Sequence, residues 1–124
     1  IAQMQVTLQQ VQKDVQQVQQ DVQQVQRDLA SMRWTQVNAA IRFHNRNNRN
    51  AVRPLHKERQ GGTDPVGALP PAHMNFPENF SETVALTGNQ LDQLQEFYQL
   101  QFAGPLVGDR RHALWAYISE PAVE

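Results

Sequence analysis

Four histidines, His44, His56, His73 and His112, are the side chains best suited to binding a metal or moving a proton. No two of them stand at a metal-ligand spacing, and the chain has no cysteine to complete a thiolate set. Asp92 and Glu96 lie four residues apart, so a helix would present both carboxylates on one face. General acid–base work needs such a pair, but like charges at this spacing read first as a solvated face. Arg110 and Arg111 could hold an anion, although capping and solvation are the commoner uses of such a pair. The G-x-S-x-G, phosphate-loop and H-E-x-x-H patterns are all missing. The expectation is a protein that is not an enzyme, with no catalytic, metal or cofactor-binding residues and no cofactor.

The remaining chemistry is basic. "HNRNNRNAVRPLHKER", His44 to Arg59, is polar, rich in asparagine and cationic. Arg42, Arg46, Arg49, Arg53, Lys57 and Arg59, with Arg110 and Arg111, are the candidate contacts for an anion or nucleic acid. Phe43 is the only aromatic residue near the cluster, so base stacking has little support. Residues 33–59 carry seven basic side chains against Glu58, net +6. Residues 60–124 carry two against eight acids, net −6, and residues 1–32 carry net −1. A solvated loop, or an arm held against the acidic C-terminal part, is favoured over nucleic-acid binding. If charge holds that embrace, salt should loosen it.

The whole chain of 124 residues carries net −1 and gives no strong pull toward nucleic acid or membrane. No apolar run is long enough to span a bilayer. Without cysteine, disulfides and thiol redox chemistry are excluded, which favours an intracellular setting. The chain opens on Ile1 rather than Met, which reads as a fragment or a processed product.

The element that must position everything else is the first. Ile1, Met4, Leu8, Val11, Val15, Val18, Val22, Val25, Leu29 and Met32 alternate spacings of three and four without an error. This is the 3.5-residue repeat of a left-handed coiled coil, with Ile1, Leu8, Val15, Val22 and Leu29 at a and the others at d. The stretch holds no Gly or Pro and would run roughly 48 Å at 1.5 Å per residue. Twelve glutamines in residues 1–32 also suit a disordered tract, but disorder has no reason to keep the schedule. A strand would scatter these valines over both faces. A helix packed on its own domain would need a wider stripe and more chain to cover it. Each Val removed from water contributes on the order of 1.5 kcal/mol, so self-association buries the seam. Asp14, Asp21 and Asp28 at g face Gln at e in a parallel arrangement and each other in an antiparallel one. Parallel is favoured. Valine at both a and d disfavours a dimer, and aspartate at g resists a tetramer, so a parallel trimer is expected.

After Met32 the large apolar residues are Trp34, Val37, Ile41 and Phe43, so the helix continues to about Phe43 while its apolar face rotates. Trp34, Val37 and Ile41 are the expected platform for the C-terminal part. "QGGTDPVGALPPAHMNFPENF" reads as irregular crossing chain, anchored by Val66, Leu69, Met74, Phe76 and Phe80. It lacks PxxP spacing, which argues against an SH3-type ligand. Ser81 is a candidate cap for a short turn. Thr87 and Gln90 form a capping box, with Leu86 and Leu91 as its hydrophobic staple. The expected apolar faces are Leu91, Leu94, Phe97, Tyr98 and Phe102 on one helix, then Ala113, Leu114, Tyr117 and Ile118 on a second capped by Asp109.

Leu86 to Ser119, helix then extended loop then a helix opening on basic residues, resembles the SAP-type helix-extension-helix module. That resemblance implies phosphate contacts by Arg110, Arg111 and His112. Against it, Glu82, Asp92, Glu96, Asp109, Glu120 and Glu124 surround the pair and would repel a phosphate backbone. The full layout also resembles a fungal family of meiotically upregulated proteins. Pro54, Leu55, Leu69, Pro70, Pro71, Phe76 and Pro77, then Leu91, Leu94, Tyr98, Leu100, Arg110, Arg111, Leu114 and Ile118, carry it. That family has no assigned catalysis.

The expected fold is all-α: a parallel oligomeric coiled coil over residues 1–43, an irregular crossing over 44–80, and a small helical head over 81–124. The expected function is a homo-oligomerising scaffold that displays several heads, with itself and a further protein as partners and no membrane. The alternatives are nucleic-acid binding through residues 42–59 and a structural part in a filament or particle.

Overall fold

The computed structural model describes residues 2–121; Ile1, the first expected seam position, lies outside them. All regular structure among them is helical: α1 Ala2–Asn47, a 3-10 turn Ala72–Met74, α2 Phe80–Thr83, α3 Gly88–Tyr98 and α4 Val107–Ser119. The chain divides into two compact units, Ile1–Ala30 and Ser31–Glu124. The second unit starts far upstream of residue 81. Val52 and Leu55, in the expected crossing, are buried in one core with Leu86, Leu91, Leu94, Phe97, Tyr98, Phe102, Leu114 and Ile118.

In the first unit, α1 is solvated on all sides. Gln10, Gln17 and Gln24 each donate to the aspartate four residues on, Asp14, Asp21 and Asp28, at 2.9–3.0 Å. These pairs join heptad positions c and g and support the helix locally.

The second unit is built on the last turns of α1. The helix continues past Phe43 to Asn47, through asparagines that would ordinarily discourage it. Two of them explain why. Asn38 donates to the His56 carbonyl at 2.7 Å and accepts from the His56 N–H at 2.8 Å. Asn45 does the same to Arg53, at 3.0 and 2.8 Å, and also donates to the Ile118 carbonyl. Each amide side chain thus stands in for a β-ladder partner. The spacing is commensurate. Seven helical residues advance about 10.5 Å, and three extended residues advance about 10 Å. Position 45 pairs with 53 and position 38 with 56, so the return chain runs antiparallel to the helix.

The outer edge of that return chain is also paired. Lys57 donates its N–H to Ala68 and accepts from Gly67. Tyr98 donates its hydroxyl to the Leu55 carbonyl at 2.7 Å. Gly67 has φ +93°, and a Cβ there would meet the Trp34 ring at 2.5 Å, so glycine is required. Trp34 also packs on His56, with ring centroids 4.5 Å apart. Met74 and Phe76 anchor the crossing on the core as expected, while Leu69 is exposed.

The expected platform needs correction. Trp34 and Ile41 face the head, but Val37 is exposed. Asn38, Arg42 and Asn45 take its place, all buried. The capping box of Thr87 and Gln90 is present on α3. Two other caps move. Asn79, not Ser81, caps α2 by accepting from the Glu82 N–H. Asp109 is the third residue of α4 and accepts from the Leu106 N–H, so that helix starts two residues before it.

Truncating the clamps leaves buried backbone groups without partners, which costs about 1–3 kcal/mol each. Asn38→Ala and Asn45→Ala should each lower head stability by ~2 kcal/mol or more, with Asn45→Ala the worse. Asn47→Ala, which removes only a bond to its own helix, should stay within about 0.5 kcal/mol. Urea unfolding followed by Trp34 and Trp115 fluorescence checks the order.

Candidate functional site

Two features could carry function: a polar cluster inside the head and an apolar stripe along α1. The cluster centres on Arg42, buried on α1 between the two asparagine clamps. Its Nε donates to the Tyr117 carbonyl at 2.8 Å, and its two terminal nitrogens grip both Glu58 oxygens at 3.2 Å. The guanidinium also lies 4.9 Å from the Tyr117 ring centre. Tyr117 donates its hydroxyl to Glu58 at 3.3 Å and packs edge-on against Tyr98. Every donor here has an internal acceptor, and no buried side-chain polar atom among the described residues lacks a partner. The cluster therefore locks α1, the return chain and α4 together.

Burial is the main reason both phenols are held neutral. It raises Tyr98 well above the usual tyrosine range, with Tyr117 beside it adding to the effect. It raises Tyr117 likewise, with Glu58 adding.

The candidate anion contacts do not converge. Lys57 is fully buried, donates to the carbonyls of Gly61 and Asp64, and lies 6.0 Å from the Phe97 ring centre. Arg49 stacks on Phe80 and Trp115. Arg110 pairs with Asp92 at 2.6 Å, and Arg111 donates to the Leu86 carbonyl at 2.7 Å. Arg46 lies against Phe43 on an exposed face, and Arg53 and Arg59 are exposed. Sequence reasoning missed the burial of Arg42 and Lys57, because a cation in an asparagine-rich stretch reads as solvated. The spacing of Asn38, Arg42 and Asn45, four then three, was the available signal.

The expected embrace between oppositely charged segments takes another form. Among the described residues both ion pairs fall within a segment: Arg42 with Glu58, and Arg110 with Asp92. Arm and head are joined by amide, guanidinium and hydroxyl bonds to backbone carbonyls and by the Tyr117 hydroxyl on the largely buried Glu58, which screening weakens little.

The histidines also stay apart. His44 bonds the Ala51 carbonyl through Nε2, His56 bonds the Gly67 carbonyl through Nδ1, and His73 and His112 are exposed. No group of three His, Asp or Glu among the described residues is placed to hold a metal, and no helix among them is long and apolar enough to cross a membrane.

The stripe is the other feature. Met4, Leu8, Val11, Val15, Val18, Val22, Val25, Leu29 and Met32 are all between 49% and 70% exposed. Soluble chains rarely leave so long an apolar row in water unless a partner covers it.

Two measurements follow. The chain has two tyrosines, both in the cluster. Their raised pKa values mean the unfolded chain loses its phenolic protons first. That stabilisation is full below about pH 10 and is lost as pH rises through the folded-state values. Tyrosinate absorbance should therefore appear only together with loss of the near-UV dichroism of the head; phenolate forming near pH 10 with the fold intact would contradict the cluster. In molar salt, hydrogen-exchange protection of the head should persist. No protein-family model matches the chain, and neither a curated protein nor a solved structure was found to match it.

Proposed function

We propose that this chain is a homo-oligomerising scaffold: a parallel coiled coil, a trimer, that gathers several copies of a folded head. The observation that carries the reading is the solvent exposure of nine seam residues in unbroken heptad order. Valine holds two of the five a positions and three of the five d positions, and β-branched residues at both suit three strands better than two. Asp14, Asp21 and Asp28, each bonded to a glutamine on its own helix, keep charge at the flank of the seam and work against a fourth strand. Gathering heads on one coil would turn weak single contacts into a strong multivalent one. Nucleic-acid binding through residues 42–59 is the weaker reading, since Arg42 and Lys57 are buried and bonded inside the head and Arg49 is stacked on Phe80 and Trp115.

Sedimentation equilibrium at micromolar concentration tests the proposal. The wild type should sediment at three times its chain mass. Val18→Glu with Val22→Glu should sediment as single chains, with tryptophan fluorescence of the head unchanged. A monomeric wild type, or a double variant that still assembles, would refute it.

A further inference from the structure

After Met32 the bulky residues leave the seam schedule. Position by position, however, the heptad continues. Gln36 falls at a, Ala39 at d, Phe43 at a and Arg46 at d. All four are exposed, Phe43 at 62%. The head sits elsewhere on the same turns: Trp34 and Ile41 at f, Asn38 and Asn45 at c, Arg42 at g. Positions c and f are the outer positions of a coil, and g is its flank. The head thus leaves the a/d edge of its own stretch of α1 open.

Coiled coils assemble by inserting each core side chain into a hole made by four residues of the facing helix. On one helix, residues i, i+3, i+4 and i+7 enclose such a diamond. Val11, Asp14, Val15 and Val18, at d, g, a and d, line a shallow hollow in the first unit. Ala39, Arg42, Phe43 and Arg46 line a hollow of about 400 Å³ in the second, with Ser119 and Pro121 at the end of α4 forming its rim. The two sets of four differ by 28 at every position, which is four heptads.

We propose that the seam runs on through the head-bearing turns of α1, and that the second hollow is the socket for Phe43 of another copy of this chain, parallel and in register. This rests on the coiled-coil reading above and extends it. Three features fix the occupant. The socket repeats the heptad phase of the valine seam. Its only large exposed apolar side chain, Phe43, stands at the position whose counterpart would enter it. The neighbour's flanking e residue is Ala40, small enough to pass the rim at Ser119 and Pro121. Heads would then ride on the flanks of the coil, each completing a socket for its neighbour, and the seam would end at the Arg46 layer.

The natural chain has no cysteine, so single-cysteine variants report proximity cleanly. Ala39→Cys and Phe43→Cys should form disulfide-linked dimers on mild oxidation in yields matching Val15→Cys, while Val37→Cys on the outer face should give little. Phe43→Ala should weaken assembly about tenfold or more without altering head fluorescence. If Val15→Cys cross-links but Ala39→Cys and Phe43→Cys behave like Val37→Cys, the extension is wrong and the coil stands. If the wild type is monomeric, or assembles while Val15→Cys fails to link, the parallel coil is wrong and the extension falls with it.

Discussion

The head depends on one match of lengths. A helix rises 1.5 Å per residue and an extended chain about 3.3–3.4 Å. Amides seven apart on α1 can therefore grip backbone units three apart on the chain that returns beside it. Asn38 and Asn45 do so, at both N–H and C=O. Once that edge is fixed, the rest has few choices. The return chain carries Val52 and Leu55 into the core, Lys57 folds the next loop over itself, and Gly67 fits beneath Trp34. The helices α3 and α4 close over a surface that is already paired. An irregular segment is affordable at the centre of so small a unit only because its backbone groups find partners there.

The apolar half of this arrangement was legible and the polar half was not. The heptad row, the Thr87–Gln90 capping box and the buried faces of α3 and α4 follow from spacing and residue type alone, since burial of Leu91, Leu94, Leu114 and Ile118 is what their periodicity encodes. Asn38, Arg42 and Asn45 share that periodicity but not the residue type. A pattern count that scores only apolar side chains passes over them and selects Val37, which lies in solvent. The same blindness made Arg42 and Lys57 look like contacts for phosphate.

The last turns of α1 present two faces, and the division between them is sharp. Positions c, f and g hold the head, and positions a and d stay open. A helix used only to support the head could spread apolar residues over a broad stripe. Here the supporting face is largely polar and hydrogen-bonded, so the two faces do not compete for the same hydrophobic signal.

In the proposed coil, repetition would create a difficulty that these turns are placed to solve. "VQKDVQQ", "VQQDVQQ" and the opening of "VQRDLAS" are nearly interchangeable heptads. Sliding one chain by seven residues puts valine back on valine and aspartate back at g, at the cost of one a and one d layer at each end. Such a seam would drive association strongly and specify alignment poorly. The layers that do not repeat are Gln36, Ala39 and Phe43. A slipped chain would set Gln36 against an apolar layer and leave Phe43 without its socket, and a buried polar side chain without a partner is costly. The head holds these turns helical through Asn38, Arg42 and Asn45. It therefore also supplies a helical nucleus next to a valine-rich stretch that is a poor helix former on its own. Alignment and helix initiation would then both be set at the head-bearing turns, and the repeats would only have to propagate them.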